Sequence, residues 1–235
     1  MTPNRAVDPS NVSSMNSVAF WTFSAVLLSG TLSSMILLGT QDCGGPTDEH
    51  HASSHELLLD TAGKRILERK ELPLGMPAPD FALVNQDGED VTLEDLSGAV
   101  LGIGFIYTSC PDVCGLLTAS FLDLEREFAS SIDDGDLQLV LITTDPETDV
   151  PERTKLFTTT HGARWEFLTG DMSACEEVWE DYGVNRTFNP SAGYVYHTYK
   201  IVLIDAEGNM RFDYVGLDDP DADLTRDITS LLGES

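Results

Sequence analysis

Two cysteines and one histidine carry the chemistry this sequence can do. Cys110 and Cys114 stand in Tyr107-Thr108-Ser109-Cys110-Pro111-Asp112-Val113-Cys114-Gly115, between an apolar run and an amphipathic one. Cys110 is therefore expected at the carboxyl end of a strand and the amino end of a helix. Unpaired backbone N–H groups and the positive end of the helix dipole collect there, and both favour thiolate over thiol. Pro111 suits a first helical turn, where its missing N–H costs little. Cys114 follows four residues on, so a helix puts both sulfurs on one side. The pair can then close a disulfide or clasp one soft metal ion. Two thiolates leave a coordination sphere incomplete, and no second cysteine pair exists to build a zinc knuckle. An imidazole is the natural third donor, and two sulfurs with one nitrogen suit copper, as Cu(I) or Cu(II).

The sequence has five histidines. His197, in Tyr196-His197-Thr198-Tyr199, precedes an apolar strand whose leading loop passes the amino end of the dithiol helix. It is the expected third ligand. His161 follows a helical stretch and reads as a C-terminal capping residue. His50, His51 and His55 fall in a polar linker. Cys43 and Cys175 stand apart from the pair and from each other, so the chain is no disulfide scaffold. Cys175 reads as a packing residue.

The elements that must hold this site follow from the pattern of apolar residues. Residues 100–107 and 137–143 are apolar runs of strand length, buried on both faces. Between them, residues 116–128 place Leu117, Phe121, Leu124 and Phe128 at helical spacing. Residues 81–84 and 91–93 flank the turn Gln86-Asp87-Gly88-Glu89. Residues 151–160 read as a helix opened by Pro151, 167–168 as a short strand, and 173–182 as a helix. Residues 199–204 and 210–214 form a hairpin around Asp205-Ala206-Glu207-Gly208. Residues 223–232 close the chain as a helix. The order β-β-β-α-β-α-β-α-β-β-α indicates an α/β sandwich with a mixed central sheet. Residues 56–70 read as a short helix in the linker.

Charge and the N-terminal segment bound the setting. Of 235 residues, 13 are Lys or Arg and 40 are Asp or Glu, a formal net charge of −27. That excess argues against binding nucleic-acid phosphate or anionic lipid through the protein surface. No charged residue lies between Asp8 and Asp42, and the most apolar stretch, 18–38, is long enough to cross a bilayer. Residues 18–39 are expected to be an uncleaved transmembrane anchor. Residues 1–17 are then a short cytoplasmic N-terminus, 40–71 a linker and 72–235 the folded domain. Arg5 before the anchor, with Asp42, Asp48 and Glu49 after it, places that domain outside the cytoplasmic membrane. A cleaved signal peptide is the rival. Arg5 and Asp8 cancel, so the whole −27 falls on the exposed remainder. A dispersed acidic surface of this size suits a protein facing high salt; an acidic extracytoplasmic protein without salt adaptation is the alternative.

Residues 75–232 resemble the Sco/SenC family of copper-binding, thioredoxin-fold proteins. The resemblance rests on Pro77-Ala78-Pro79-Asp80-Phe81, on Val91-Thr92-Leu93-Glu94-Asp95-Leu96, and above all on Tyr107-Thr108-Ser109-Cys110-Pro111-Asp112-Val113-Cys114 with the distal His197. Thr144-Asp145-Pro146-Glu147-Thr148-Asp149 resembles the family's acidic loop, and Leu168-Thr169-Gly170 completes the pattern. Gly115 stands where many members have Pro, Thr148 where Arg is common, Val150 where Thr is common, and Ala99 where Lys is frequent.

The resemblance implies a membrane-anchored metallochaperone binding one copper through Cys110, Cys114 and His197. It implies delivery to the dinuclear copper site of cytochrome c oxidase subunit II, with copper received from an upstream donor protein. Reduction of that subunit's cysteines by a redox-active Cys110–Cys114 pair is a further family activity, since sulfurs that hold copper also exchange disulfides. Asp145 and Asp149 either orient His197 and tune the site from behind the ligands, or form a solvated turn that caps the helix opened by Pro151. A metal-independent thiol-disulfide oxidoreductase is the principal alternative; His197 favours copper, whereas a two-residue cysteine spacing with a cis-proline would have favoured exchange. A peroxidase is disfavoured, because Tyr107 holds the position where a peroxiredoxin has Thr. A copper or redox sensor without catalysis is also compatible with the sequence.

Overall fold

The sheet is built outward from the two apolar runs. The computed structural model describes residues 68–110, 114–216 and 221–234. The expected anchor at 18–39, Cys43, His50, His51, His55 and Pro111 lie outside these described residues. Among the described residues no helix is long and apolar enough to cross a membrane. In chain order the elements are β1 (Glu68–Glu71), β2 (Ala82–Val84), β3 (Asp90–Thr92), a 3-10 turn (Glu94–Leu96), β4 (Val100–Ile106), α1 (Cys114–Glu127), α2 (Ala129–Asp134), β5 (Leu137–Thr143), α3 (Pro151–His161), β6 (Glu166–Leu168), α4 (Met172–Asp181), β7 (Arg186–Asn189), β8 (Tyr194–His197), β9 (Lys200–Ile204), β10 (Met210–Val215) and α5 (Asp221–Leu232).

Six strands form one sheet in the order β1-β10-β9-β4-β5-β6. β4, β5 and β6 run parallel, whereas β9, β10 and β1 add antiparallel neighbours, so the sheet is mixed as expected. Every residue of β4 is buried, the signature of a strand covered on both faces. On one face Leu117, Phe121 and Leu124 of α1 pack with Leu224, Ile228 and Leu231 of α5. On the other, Cys175, Val178 and Trp179 of α4 pack against Phe105, Ile142 and Val202. Gly104 lets α1 approach the sheet, because a Cβ there would meet Leu117 and Phe121 at 2.9 Å and Leu141 at 3.1 Å.

Four elements depart from the sequence reading. Glu68–Glu71 is not the end of a linker helix but a strand, paired with β10 along its length. Charged residues suit it because β1 is the edge of the sheet, where unpaired backbone must be kept from other chains. The hairpin β7–β8 occupies a stretch expected to be loop, and its register sets Arg186 opposite His197. α2 continues the helical layer after a break at Phe128 and ends at Gly135, whose φ of 82° suits a left-handed cap.

Candidate functional site

Of the expected ligands, Cys114 and His197 meet beyond the carboxyl end of β4, and Cys110 lies beside Cys114. β4 leads into Tyr107 and the loop to Cys110; α1 begins at Cys114; β8 ends at His197. The Cys114 sulfur and His197 Nε2 lie 3.6 Å apart although 83 residues separate them in sequence. The imidazole is aimed by its other nitrogen: Nδ1 lies 2.9 Å from the Thr198 carbonyl. A carbonyl only accepts, so Nδ1 carries the hydrogen and Nε2 keeps its lone pair for the cysteine side. Burial lowers the His197 pKa, against the Thr198 hydrogen bond, and so favours the neutral ring that can ligate.

Cys110 and Cys114 are both thiols, the first partly exposed and the second buried. The helix-terminus effect expected to favour thiolate at Cys110 does not extend to Cys114, whose thiol pKa is raised. Its hydrogen bond with Cys110 pushes the thiol up, and burial pushes it further. The reason is position: Cys114 sits inside the packed face of α1, where the thiolate loses water and faces a second sulfur. Among the described residues no trio of His, Cys, Asp or Glu side chains is gathered at ligand spacing; Cys114 and His197 meet, and Cys110 joins them through its contact with Cys114. Two sulfurs and an imidazole lone pair are soft donors that fit a thiophilic cation.

Neither Asp149 nor Asp145 makes a hydrogen bond or ion pair with His197, so neither orients it directly, and the buried Asp149 is not part of a solvated turn. Asp149 is fully buried and holds the cysteine loop instead. It accepts the Thr108 backbone N–H at 2.9 Å, the Thr108 hydroxyl at 2.5 Å and the Thr143 hydroxyl at 2.8 Å. Burial raises its carboxyl pKa, opposed by those hydrogen bonds. Asp145 lies 3.7 Å from Arg186. Arg186 also donates to the Thr144 carbonyl and rests on the Trp179 ring. It sits opposite His197 in the hairpin, so Asp145 bears on the ligand's strand through Arg186.

Tyr107 is a site residue that sequence reasoning passed over. Its hydroxyl donates to the Val195 carbonyl at 3.0 Å, tying the end of β4 to the strand that carries His197. Its ring stands edge-on to the imidazole, centroids 5.8 Å apart. Burial, then the nearby Cys110, raises its phenol pKa. His161 takes the place expected of it, with Nδ1 2.9 Å from the Phe157 carbonyl in the last turn of α3. Cys175 is buried in the core and its thiol is pushed up to about 12 by burial, as a packing residue should be.

Residues 74–233 match the SCO1/SenC family. The chain belongs to that family. The Sco fold is accordingly the thioredoxin-like α/β sandwich with a mixed sheet that the element order implied. The SCO1 protein homolog of Bacillus subtilis is 29% identical over 164 residues, covering 67% of this chain and 84% of that one. The structure of Bradyrhizobium japonicum ScoI with copper bound is 26% identical, with a TM-score of 0.58 over 67% of this chain and 99% of that one. BsSco, a Sco-family cytochrome c oxidase assembly protein with a disulfide switch, is 29% identical, with a TM-score of 0.58 over 71% of this chain and 99% of that one. The Sco family therefore includes copper-binding proteins of cytochrome c oxidase assembly.

Proposed function

We propose that this protein is a copper metallochaperone that holds one copper through Cys110, Cys114 and His197 and passes it to the dinuclear copper site of cytochrome c oxidase subunit II. The observation that carries this reading is the Cys114–His197 approach at 3.6 Å, with Nδ1 occupied by Thr198 and Nε2 left for the metal. The copper-bound Bradyrhizobium relative and the assembly role stated for BsSco support it. Copper is the cargo, supplied by a donor protein. Three soft ligands leave room for an incoming thiolate, so each ligand can be exchanged in turn without releasing a bare ion. Burial lowers the His197 pKa, which favours the neutral imidazole that copper needs. We further propose that residues 18–39 anchor the chain in the cytoplasmic membrane, with the domain on the extracytoplasmic side, where the acceptor site is assembled.

A second reading uses the same sulfurs. Cys110 and Cys114 lie within hydrogen-bond reach of each other. The partly exposed Cys110 can attack a partner's disulfide and the buried Cys114 then resolve the mixed disulfide. The partner gains two electrons and two protons, and the chain is left with a Cys110–Cys114 disulfide.

The test is a Cu(I) titration of the reduced full-length chain against a chromophoric chelator, for wild type and His197→Ala. Wild type should bind one equivalent, and the variant should lose about a hundredfold or more in affinity. Undiminished binding in the variant overturns the three-ligand site. Failure of wild type to bind copper, together with reduction of a model disulfide, transfers the function to thiol exchange.

A further inference from the structure

The loop that presents Cys110 is gripped from the side by a guanidinium. Arg153 lies in the first turn of α3, and its Nε donates to the Thr108 hydroxyl oxygen at 2.7 Å. The same Nε lies 3.7 Å from the Asp149 carboxylate. Thr108 is two residues before Cys110, and both its backbone N–H and its hydroxyl go to Asp149. A hydroxyl has one hydrogen to give. With Arg153 donating to its oxygen, that hydrogen is turned onto Asp149. Arg153, Thr108 and Asp149 thus form a directed chain, cation to hydroxyl to carboxylate, in which each bond polarises the next. The chain is anchored below by the Thr143 hydroxyl at the end of β5.

We propose that Arg153 is a positioning residue of the copper site, fixing the Thr108–Cys110 loop through the Thr108 hydroxyl and so setting how firmly Cys110 holds its metal. This rests on the copper-binding reading above. Arg153 is 46% exposed at its side chain, and neither the loop nor the fold core depends on it for burial. Its effect should therefore appear at the site before it appears in folding. The planar fork also matters: Lys keeps the charge but offers no rigid Nε–H at that angle.

The experiment compares full-length wild type, Arg153→Gln and Arg153→Lys. Cu(I) dissociation is followed by transfer to a chelator, the Cu(II)–thiolate absorption band is recorded, and the thermal midpoint of the metal-free protein is measured. Arg153→Gln is expected to release Cu(I) about tenfold faster and to shift the band, with the midpoint unchanged. Arg153→Lys should fall between. Equal release rates and an unshifted band overturn the proposal, as does a loss of copper that merely tracks a loss of folding. Exchange of the Thr108 amide in the metal-free protein gives a readout independent of copper: it should quicken in Arg153→Gln. If wild type binds no copper, the copper reading fails by itself, and an unchanged Thr108 amide then overturns the Arg153 proposal as well.

Discussion

His197 presents Nε2 to the site because the adjacent Thr198 carbonyl claims Nδ1, and Tyr107 fixes where the ring stands. The Tyr107 hydroxyl is buried with the Val195 carbonyl as its acceptor. Tyr107→Phe keeps the ring edge against the imidazole and removes only that bond, leaving a buried carbonyl without its donor. The expected cost is about 1–2 kcal/mol, read as a lower urea midpoint with an unchanged slope. An unaltered midpoint would show that the bond between β4 and β8 contributes nothing. The residues proposed as ligands were legible in the sequence, since cysteine and histidine announce their chemistry by type. Tyr107, Thr108, Thr143 and Arg153 were not. The roles of Tyr107, Thr108 and Arg153 depend on contacts across 41 to 88 positions, and no local pattern marks a threonine, Thr143 included, whose work is to hold a loop.

At the scale of elements, what places Cys114 is the closeness of α1 to β4. Gly104 allows it: an added Cβ would press on Leu117 and Phe121 at 2.9 Å, both on the helix that Cys114 opens. Gly104→Ala is expected to cost about 1–3 kcal/mol and to weaken copper binding, because α1 must shift outward from His197. Gly115→Ala is the control on the same helix. Nothing lies within 4 Å of its added carbon, so stability should stay level or rise by up to roughly 1 kcal/mol from helix propensity. Denaturant melts of both variants decide it; equal losses at the two glycines would mean that backbone freedom, not close packing, governs the helix. β4, β5 and α1 were readable because burial writes itself as apolar periodicity. β1 and the β7–β8 hairpin were not, for the opposite reason. β1 is all charge at a sheet edge, and β7 buries none of its residues, so pairing rather than hydrophobicity holds them.

Over the whole molecule, 40 acidic groups against 13 basic ones set a background of self-repulsion, within which a few carboxylates are stabilising. Asp227 is the clearest. Its side chain is 4% exposed and accepts two bonds from Arg69, at 2.5 and 2.9 Å, and one from the Tyr214 hydroxyl, joining β1, β10 and α5. Burial alone would raise its pKa, but the bonds from Arg69, Tyr214 and Arg226 outweigh it and hold the carboxyl below the usual range. A carboxyl lowered in the folded state contributes stability above its unfolded pKa of about 3.9 and loses it as pH falls through the folded value. The gap in unfolding free energy between wild type and Asp227→Asn should be roughly 3 kcal/mol at neutral pH and close below about pH 4; a gap constant down to pH 2 would contradict the shift. The remaining acids act oppositely. Those exposed at the surface, with few cations to answer them, repel one another at distances comparable with the Debye length, about 10 Å at 0.1 M salt and 3 Å at 1 M. Raising KCl from 0.1 to 1 M should therefore raise the melting temperature of the metal-free protein by several degrees, even though it weakens exposed pairs such as Lys155–Asp87. An equal osmolarity of sucrose separates charge screening from surface exclusion: if sucrose matches the gain, or if KCl gives none, repulsion among the acids is not what limits stability, and the saline-exterior reading of the −27 loses its physical basis.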